Sequence, residues 1–153
     1  MYKRQANDDD QITPQEFFTI RQNAAITKEI ISSESGEHED FRVVDGENLV
    51  FSYQKNDIDD PDLIDDETTN IIRFEIATDQ NSFSFSDNEL SQLSAYYDKV
   101  SFVFIPTTAI TQGTISGVKI DDSNWDIMIN VTIFSDFIGT ARNFVVEQRF
   151  TIE

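Results

Sequence analysis

The chain is 153 residues long, enough for one domain whose core needs no disulfide or metal staple. Twenty-nine acidic residues against eleven basic ones leave a net charge of −18, which argues against nucleic acid and anionic membrane as partners, since both repel a surface of that sign. The absence of cysteine excludes disulfides, thiolate metal sites and cysteine nucleophiles, and no apolar run is as long as a membrane-spanning helix requires.

Thirteen Phe, together with many Ile and Val and few Leu and Ala, lean the chain towards strands. Residues 1–25 are polar and acidic and read as a disordered or loosely docked tether, ahead of a domain over 26–153. Within the tether, Thr13-Pro14-Gln15-Glu16 could open one helical turn with Thr13 as N-cap, letting Phe17, Phe18 and Ile20 dock. Lys28 to Ser32 could form an edge strand through Ile30 or Ile31. Ser33 to Asp40 reads as a polar loop, and regular strand patterning begins near Phe41.

From there period-2 alternation dominates. Leu49, Phe51 and Tyr53 share one face of a strand, as do Ile72, Phe74 and Ile76. Phe83 and Phe85 alternate with serines. Val100, Phe102 and Phe104 mark another strand, stopped by Pro106. The longest alternation runs Trp125, Ile127, Ile129, Val131, Ile133. The last strand carries Phe144, Val146, Phe150 and Ile152 in one phase, with Gln148 inside it and so in need of a hydrogen-bond partner. Asp121-Asp122-Ser123-Asn124 and Ser135 to Thr140 read as turns. Ile115 and Val118 are out of phase around Gly117, which predicts a β-bulge. One helix signal interrupts the strands: Ser86-Asp87-Asn88-Glu89 matches a capping box, and Leu90, Leu93 and Tyr97 then fall on one face, predicting a short helix from Asp87 to about Asp98. Seven or eight short strands with one short helix predict an all-β, antiparallel β-sandwich, immunoglobulin-like, with a closed barrel as the alternative.

Catalytic chemistry finds little support. The sole histidine, His38, sits among acids in the predicted loop, and no phosphate-binding glycine loop, nucleophile elbow or zinc-binding helix motif occurs. The densest constellation is the acidic stretch from Asn56 to Glu67, where like charges must stay solvated or share a cation. Hard cations such as Ca²⁺ take six to eight oxygens from loops of this kind, so Asp57, Asp59 and Asp62 are the candidate metal ligands and Ca²⁺ the candidate ion. The spacing is not that of an EF-hand, because Pro61 occupies the third ligand position, and a solvated acidic loop is the favoured reading. Trp125 shares its phase with aliphatic residues and is expected in the core. Tyr96 and Tyr97 are freer to stack on a sugar, and Phe134 with Phe137 could form a small exposed patch.

The start of the chain carries two resemblances. Met1-Tyr2-Lys3-Arg4-Gln5 holds two of the eleven basic residues and resembles the translated adapter sequence at the ends of open reading frames in metagenomic assemblies, which implies a natural protein continuing upstream. Ala6-Asn7-Asp8-Asp9-Asp10-Gln11 resembles the tether that follows the lipidated cysteine of surface lipoproteins. Together with Asp59-Asp60-Pro61-Asp62, Gly113-Thr114-Ile115-Ser116-Gly117 and Trp125, the layout is similar to small β-sandwich surface lipoproteins of Gram-negative bacteria. That resemblance implies an extracytoplasmic location, at the outer-membrane surface or secreted, with a lipid anchor outside this chain as its only membrane attachment. No catalytic residue transfers with it. The expected function is a non-enzymatic cell-surface or secreted binding module for a protein or glycan. The alternative is a structural or accessory subunit of an envelope complex, pairing through a strand edge; a glycosidase-like enzyme is more remote.

Overall fold

Alternating apolar residues become ten strands in the computed structural model, which describes residues 15–57, 68–134 and 141–153. They are β1 (Gln15–Ser33), β2 (Gly36–Asp45), β3 (Asn48–Asn56), β4 (Thr69–Ala77), β5 (Ser82–Ser86), β6 (Tyr96–Val100), β7 (Thr108–Ala109), β8 (Gly113–Lys119), β9 (Asn124–Ile133) and β10 (Arg142–Ile152). All join one sheet in the order β5-β8-β9-β10-β1-β3-β4-β6-β7, with β2 added along the second half of β1. Every pairing is antiparallel except that of β1 with β10. The expected all-β, mainly antiparallel class is therefore met. Ten strands in one curled half-barrel stand where seven or eight in a sandwich were predicted.

The curl is read from the aromatic core. β5 and β4 lie six places apart in the sheet order, which in a flat sheet is about 29 Å at the usual strand spacing. Yet the Phe83 ring of β5 and the Phe74 ring of β4 are 5.7 Å apart. Phe51 on β3 likewise meets Trp125 on β9 edge-on at 5.5 Å. The sheet thus wraps round its own inner face, where Phe51, Phe74, Trp125, Phe150 and the aliphatic residues of β4 and β9 form the main core. A 3-10 helix, Asp87–Leu93, follows β5 and lays Leu90 and Leu93 into that core.

This helix is shorter than predicted. Glu89 accepts the Ser86 N–H at 3.1 Å, as the capping signal requires, but Ser94 adopts φ 50° and ends the helix. Tyr96 and Tyr97 consequently enter strand β6 and are buried on opposite faces, unavailable to stack on a sugar. The predicted bulge at Gly117 is absent, since β8 keeps one register against both β5 and β9. Val118 is out of phase because it points outward, half exposed. Gly117 has a packing role instead: a Cβ there would stand 2.5 Å from Ile127 Cδ1 and 2.6 Å from the Phe83 ring.

The N-terminal expectation also changes. Phe17, Phe18 and Ile20 do not belong to a docked helical turn in a tether ending at residue 25. They lie in β1, which starts by Gln15 and runs between β10 and β3 with Ile20 fully buried. Between Arg21 and Ala24 the register shifts, with Asn23 at φ 52°. This irregularity changes which face the even-numbered residues occupy: Ile20 joins the inner core, whereas Ala24 and Ile26 join a second cluster on the outer face. Beyond it, β1 and β2 continue as a two-stranded arm turning at Glu34 and Ser35. The predicted loop over Ser33 to Asp40 is mostly strand β2.

The arm lies across the outer face of β3, β4 and β6. Phe41 of β2 stacks on Tyr96 of β6, ring centroids 5.2 Å apart, with Ala24, Ile26 and Val50 around them. Glu75 of β4 ties the arm's base down, its carboxylate accepting the Ile26 N–H at 2.7 Å, the Asn48 amide at 3.2 Å and the Ser94 hydroxyl at 3.0 Å.

Candidate functional site

Three places gather polar or exposed groups. The first lies at Asp57 and Thr68, which flank the acidic stretch. Asp57 accepts hydrogen bonds from Thr68 Oγ1 and, at 3.1 Å, from Asn70 Nδ2. The buried Asn70 accepts from Tyr97 Oη at 2.6 Å and from Arg142 Nη1 at 2.9 Å. Arg142 also lies over the Phe144 ring. This network joins β4, β6 and β10 across the half-barrel and satisfies the buried amide. Of the three candidate ligands, Asp57 is thereby engaged as an anchor of the loop's base, while Asp59 and Asp62 lie outside the described residues. Among the described residues no three His, Asp or Glu side chains converge as a metal cage. The turn predicted over Ser135 to Thr140, with Phe137, also lies outside them; Phe134 is half exposed.

The second place is the outer face of β5, β8, β9 and β10, a shallow hollow of about 870 Å³. Register aligns Ser84, Ser116, Met128 and Glu147 in one row, and Ser82, Val118, Asp126 and Arg149 in the next. Asp126 and Arg149 form an ion pair at 2.8 Å, and the Arg149 hydrogen bond holds the Asp126 carboxyl below its ordinary range. Gln148, predicted to share the buried phase and need a hydrogen-bond partner, is instead exposed beside this hollow. Opposite, on the inner face, Trp125 is core as expected, and among the described residues its Nε1 has no hydrogen-bond partner.

The third place is the arm with the segment between β6 and β7. The strand predicted through Val100, Phe102 and Phe104 ends at Val100, and the chain bends away. β7 is two residues long and pairs with Tyr96 and Tyr97, and among the described residues no strand receives the rest of the apolar run. Phe102 and Phe104 are left 78% and 76% exposed, with Val103 at 63%. Thr107 fixes this segment to the arm by accepting the Phe41 N–H at 2.9 Å and donating to the Glu39 carbonyl at 3.4 Å. His38, which the sequence placed in a loop, is ordered on β2 directly opposite Ile31. Its ring lies 6.4 Å from that of Phe104.

Acidic groups border this apolar surface. Glu29 and Asp40 face each other in the next paired row, and Arg42 bonds to Glu29. Beneath, burial raises the Asp98 carboxyl; Arg73 opposes the shift and Asp40 adds to it. Arg73 also donates to Tyr96 Oη at 3.1 Å and to Ser52 Oγ at 3.1 Å. The sequence signalled the run of Val100 to Phe104 as a strand; it gave no signal that the arm would lie alongside.

No helix among the described residues is long and apolar enough to cross a membrane. Comparison with protein-family models, curated proteins and solved structures finds no match for the chain.

Proposed function

We propose that the domain is a non-enzymatic binding module that takes a protein partner on the arm-and-loop surface, in the extracytoplasmic setting expected from the sequence. One observation carries the reading: Phe102, Val103 and Phe104 stand exposed in sequence, braced by Thr107 against the arm, beside Ile31 and His38. Isolated exposed apolar residues are ordinary, but a contiguous aromatic patch on a highly charged protein marks an interaction site. Aromatic side chains are also the anchors that contribute most to protein interfaces. The test is a comparison of wild type with a Phe102→Ser/Phe104→Ser variant in crosslinking to envelope proteins. Both variants of the chain should melt alike, within about 0.5 kcal/mol, because the substituted rings bury little. A partner crosslinked by wild type should be lost from the variant; equal crosslinking would overturn the reading.

A second reading, a glycan on the outer-face hollow, is favoured by its serine rows and by the open volume of about 870 Å³. A Ser84→Trp/Ser116→Trp variant that fills the hollow should abolish binding on a glycan array. An array on which wild type binds nothing would remove this reading.

A further inference from the structure

Backbone hydrogen bonds around the arm have a consistent direction. In an antiparallel pair each residue sends both its N–H and its C=O to the same side, and successive residues alternate. The Ile26 N–H points away from β2, to Glu75. The Phe41 N–H and Glu39 C=O point away from β1, to Thr107. By alternation Lys28, Ile30 and Ser32 also direct their backbone groups away from β2. Among the described residues no backbone group pairs with these three. Among the described residues, Thr107 thus engages the outer edge of β2 at Glu39 and Phe41, whereas the outer edge of β1 has no backbone partner from Lys28 to Ser32. Open edges of this kind accept an added strand.

The side chains along this edge define what would fit. Ile30 is 66% exposed on one face of the arm. On the other, Ile31, His38 and Phe104 continue as one row from the open edge to the loop, and Glu29 with Asp40 forms the next. Glu34 and Glu37 lie at the tip, and the whole chain carries −18. A second copy would bring the same charge to the same edge, and an anionic bilayer would be repelled. Resting on the reading of this surface as a protein-binding site, we infer that its partner is an extended, cationic polypeptide segment that adds as a strand to β1 at Lys28–Ser32. Its apolar side chains extend the Ile30 and Ile31 rows, and its Lys or Arg residues face the Glu29–Asp40 row.

The test uses the whole chain and three fluorescein-labelled nine-residue peptides: one of Val and Phe with Lys at every fourth residue, one with Glu for Lys, and one cationic but N-methylated on alternate amides. The cationic peptide should bind, with its Kd rising about fivefold or more between 0.05 and 0.5 M salt as screening shortens the reach of charge. The Glu and N-methylated peptides should bind at least about tenfold more weakly. On binding, the amides of Lys28, Ile30 and Ser32 should gain protection from hydrogen exchange. Ile30→Ser/Ile31→Ser should weaken the cationic peptide, because these exposed side chains flank the edge it joins. If all three peptides bind alike, or the three amides stay unprotected while that variant still weakens binding, strand addition is overturned and the binding surface stands. If no peptide binds and the chain instead dimerises through Phe104, a second copy is the occupant and the inference fails. If no peptide binds and the chain stays monomeric, it fails together with the surface reading.

Discussion

Among the described residues, twenty-two buried residues form the cluster inside the curled sheet, including Phe51, Phe74, Phe83, Trp125 and Phe150, whereas the cluster that holds the arm to the outer face has five. The inner cluster draws on strands from both halves of the sheet, so loss of any large member is felt across the half-barrel. The arm rests on Ala24, Ile26, Phe41, Val50 and Tyr96, supplemented by the Glu75 and Thr107 hydrogen bonds near its base. Past Lys28 its exposed side chains contribute little to its attachment. Regions that bind partners are commonly drawn from the less stable end of a structure. The contrast teaches that the half-barrel is the scaffold and the arm the adaptable part.

The largest expected effect breaks the scaffold. Trp125→Ala should cost roughly 3–5 kcal/mol through the cavity it leaves among Phe51, Phe83 and their neighbours. Trp125→Phe should cost much less, because it keeps a ring in place and removes an N–H that lacks a partner, a deficit worth about 1–3 kcal/mol. Denaturant melts of the two variants check this; equal losses would show that the indole N–H is satisfied.

A medium effect separates arm from scaffold. Phe41→Ala removes the ring stacked on Tyr96 and should fall at or below the low end of the ~3–5 kcal/mol range, since the arm can settle into the space. Its signature is local: exchange protection should vanish from Thr27 to Asp40 and persist in β9. Uniform loss of protection would merge the two regions into one cooperative unit.

The smallest effect is a dependence on alkaline pH that reports on the scaffold's phenols. Burial, aided by the Glu16 carboxylate, pushes the Tyr53 hydroxyl up to about 12. Burial also raises Tyr96, opposed by Arg73, and Tyr97, opposed by Arg142. A phenol whose pKa is higher folded than unfolded contributes stability that is fully present below about pH 10 and lost as pH rises through the folded value. Melting temperature should therefore hold to about pH 9 and then fall, and phenolate absorbance from these tyrosines should appear with unfolding. Titration of all of them near pH 10 with the fold intact would contradict the burial.

Most of the scaffold was legible because its strands alternate: Leu49 to Tyr53, Ile72 to Ile76 and Trp125 to Ile133 each bury one phase on the inner face, Val50 alone of the other phase being buried as well, beneath the arm. The arm was not, for a local reason. The irregularity at Arg21 to Ala24 switches faces within β1, so Ile20 and Ile26 share a parity but not a core. The run Val100 to Phe104 alternates as well as any core strand does. Among the described residues the run has no strand partner beyond two-residue β7 and stays exposed, and pairing length is not written in local pattern. The network at the acidic loop's base was equally hidden, because Asn70 and Arg142 are polar residues whose proximity depends on the curl.

Independent opening of the arm is the central expectation, and native-state hydrogen exchange as a function of denaturant measures it directly. Amides of β3 and β9 should exchange only through global unfolding, with a steep denaturant dependence. Those of Thr27, Glu29 and Ile31, which face β2, should exchange through a shallow opening at lower free energy. One common free energy and one common slope for both sets would contradict it.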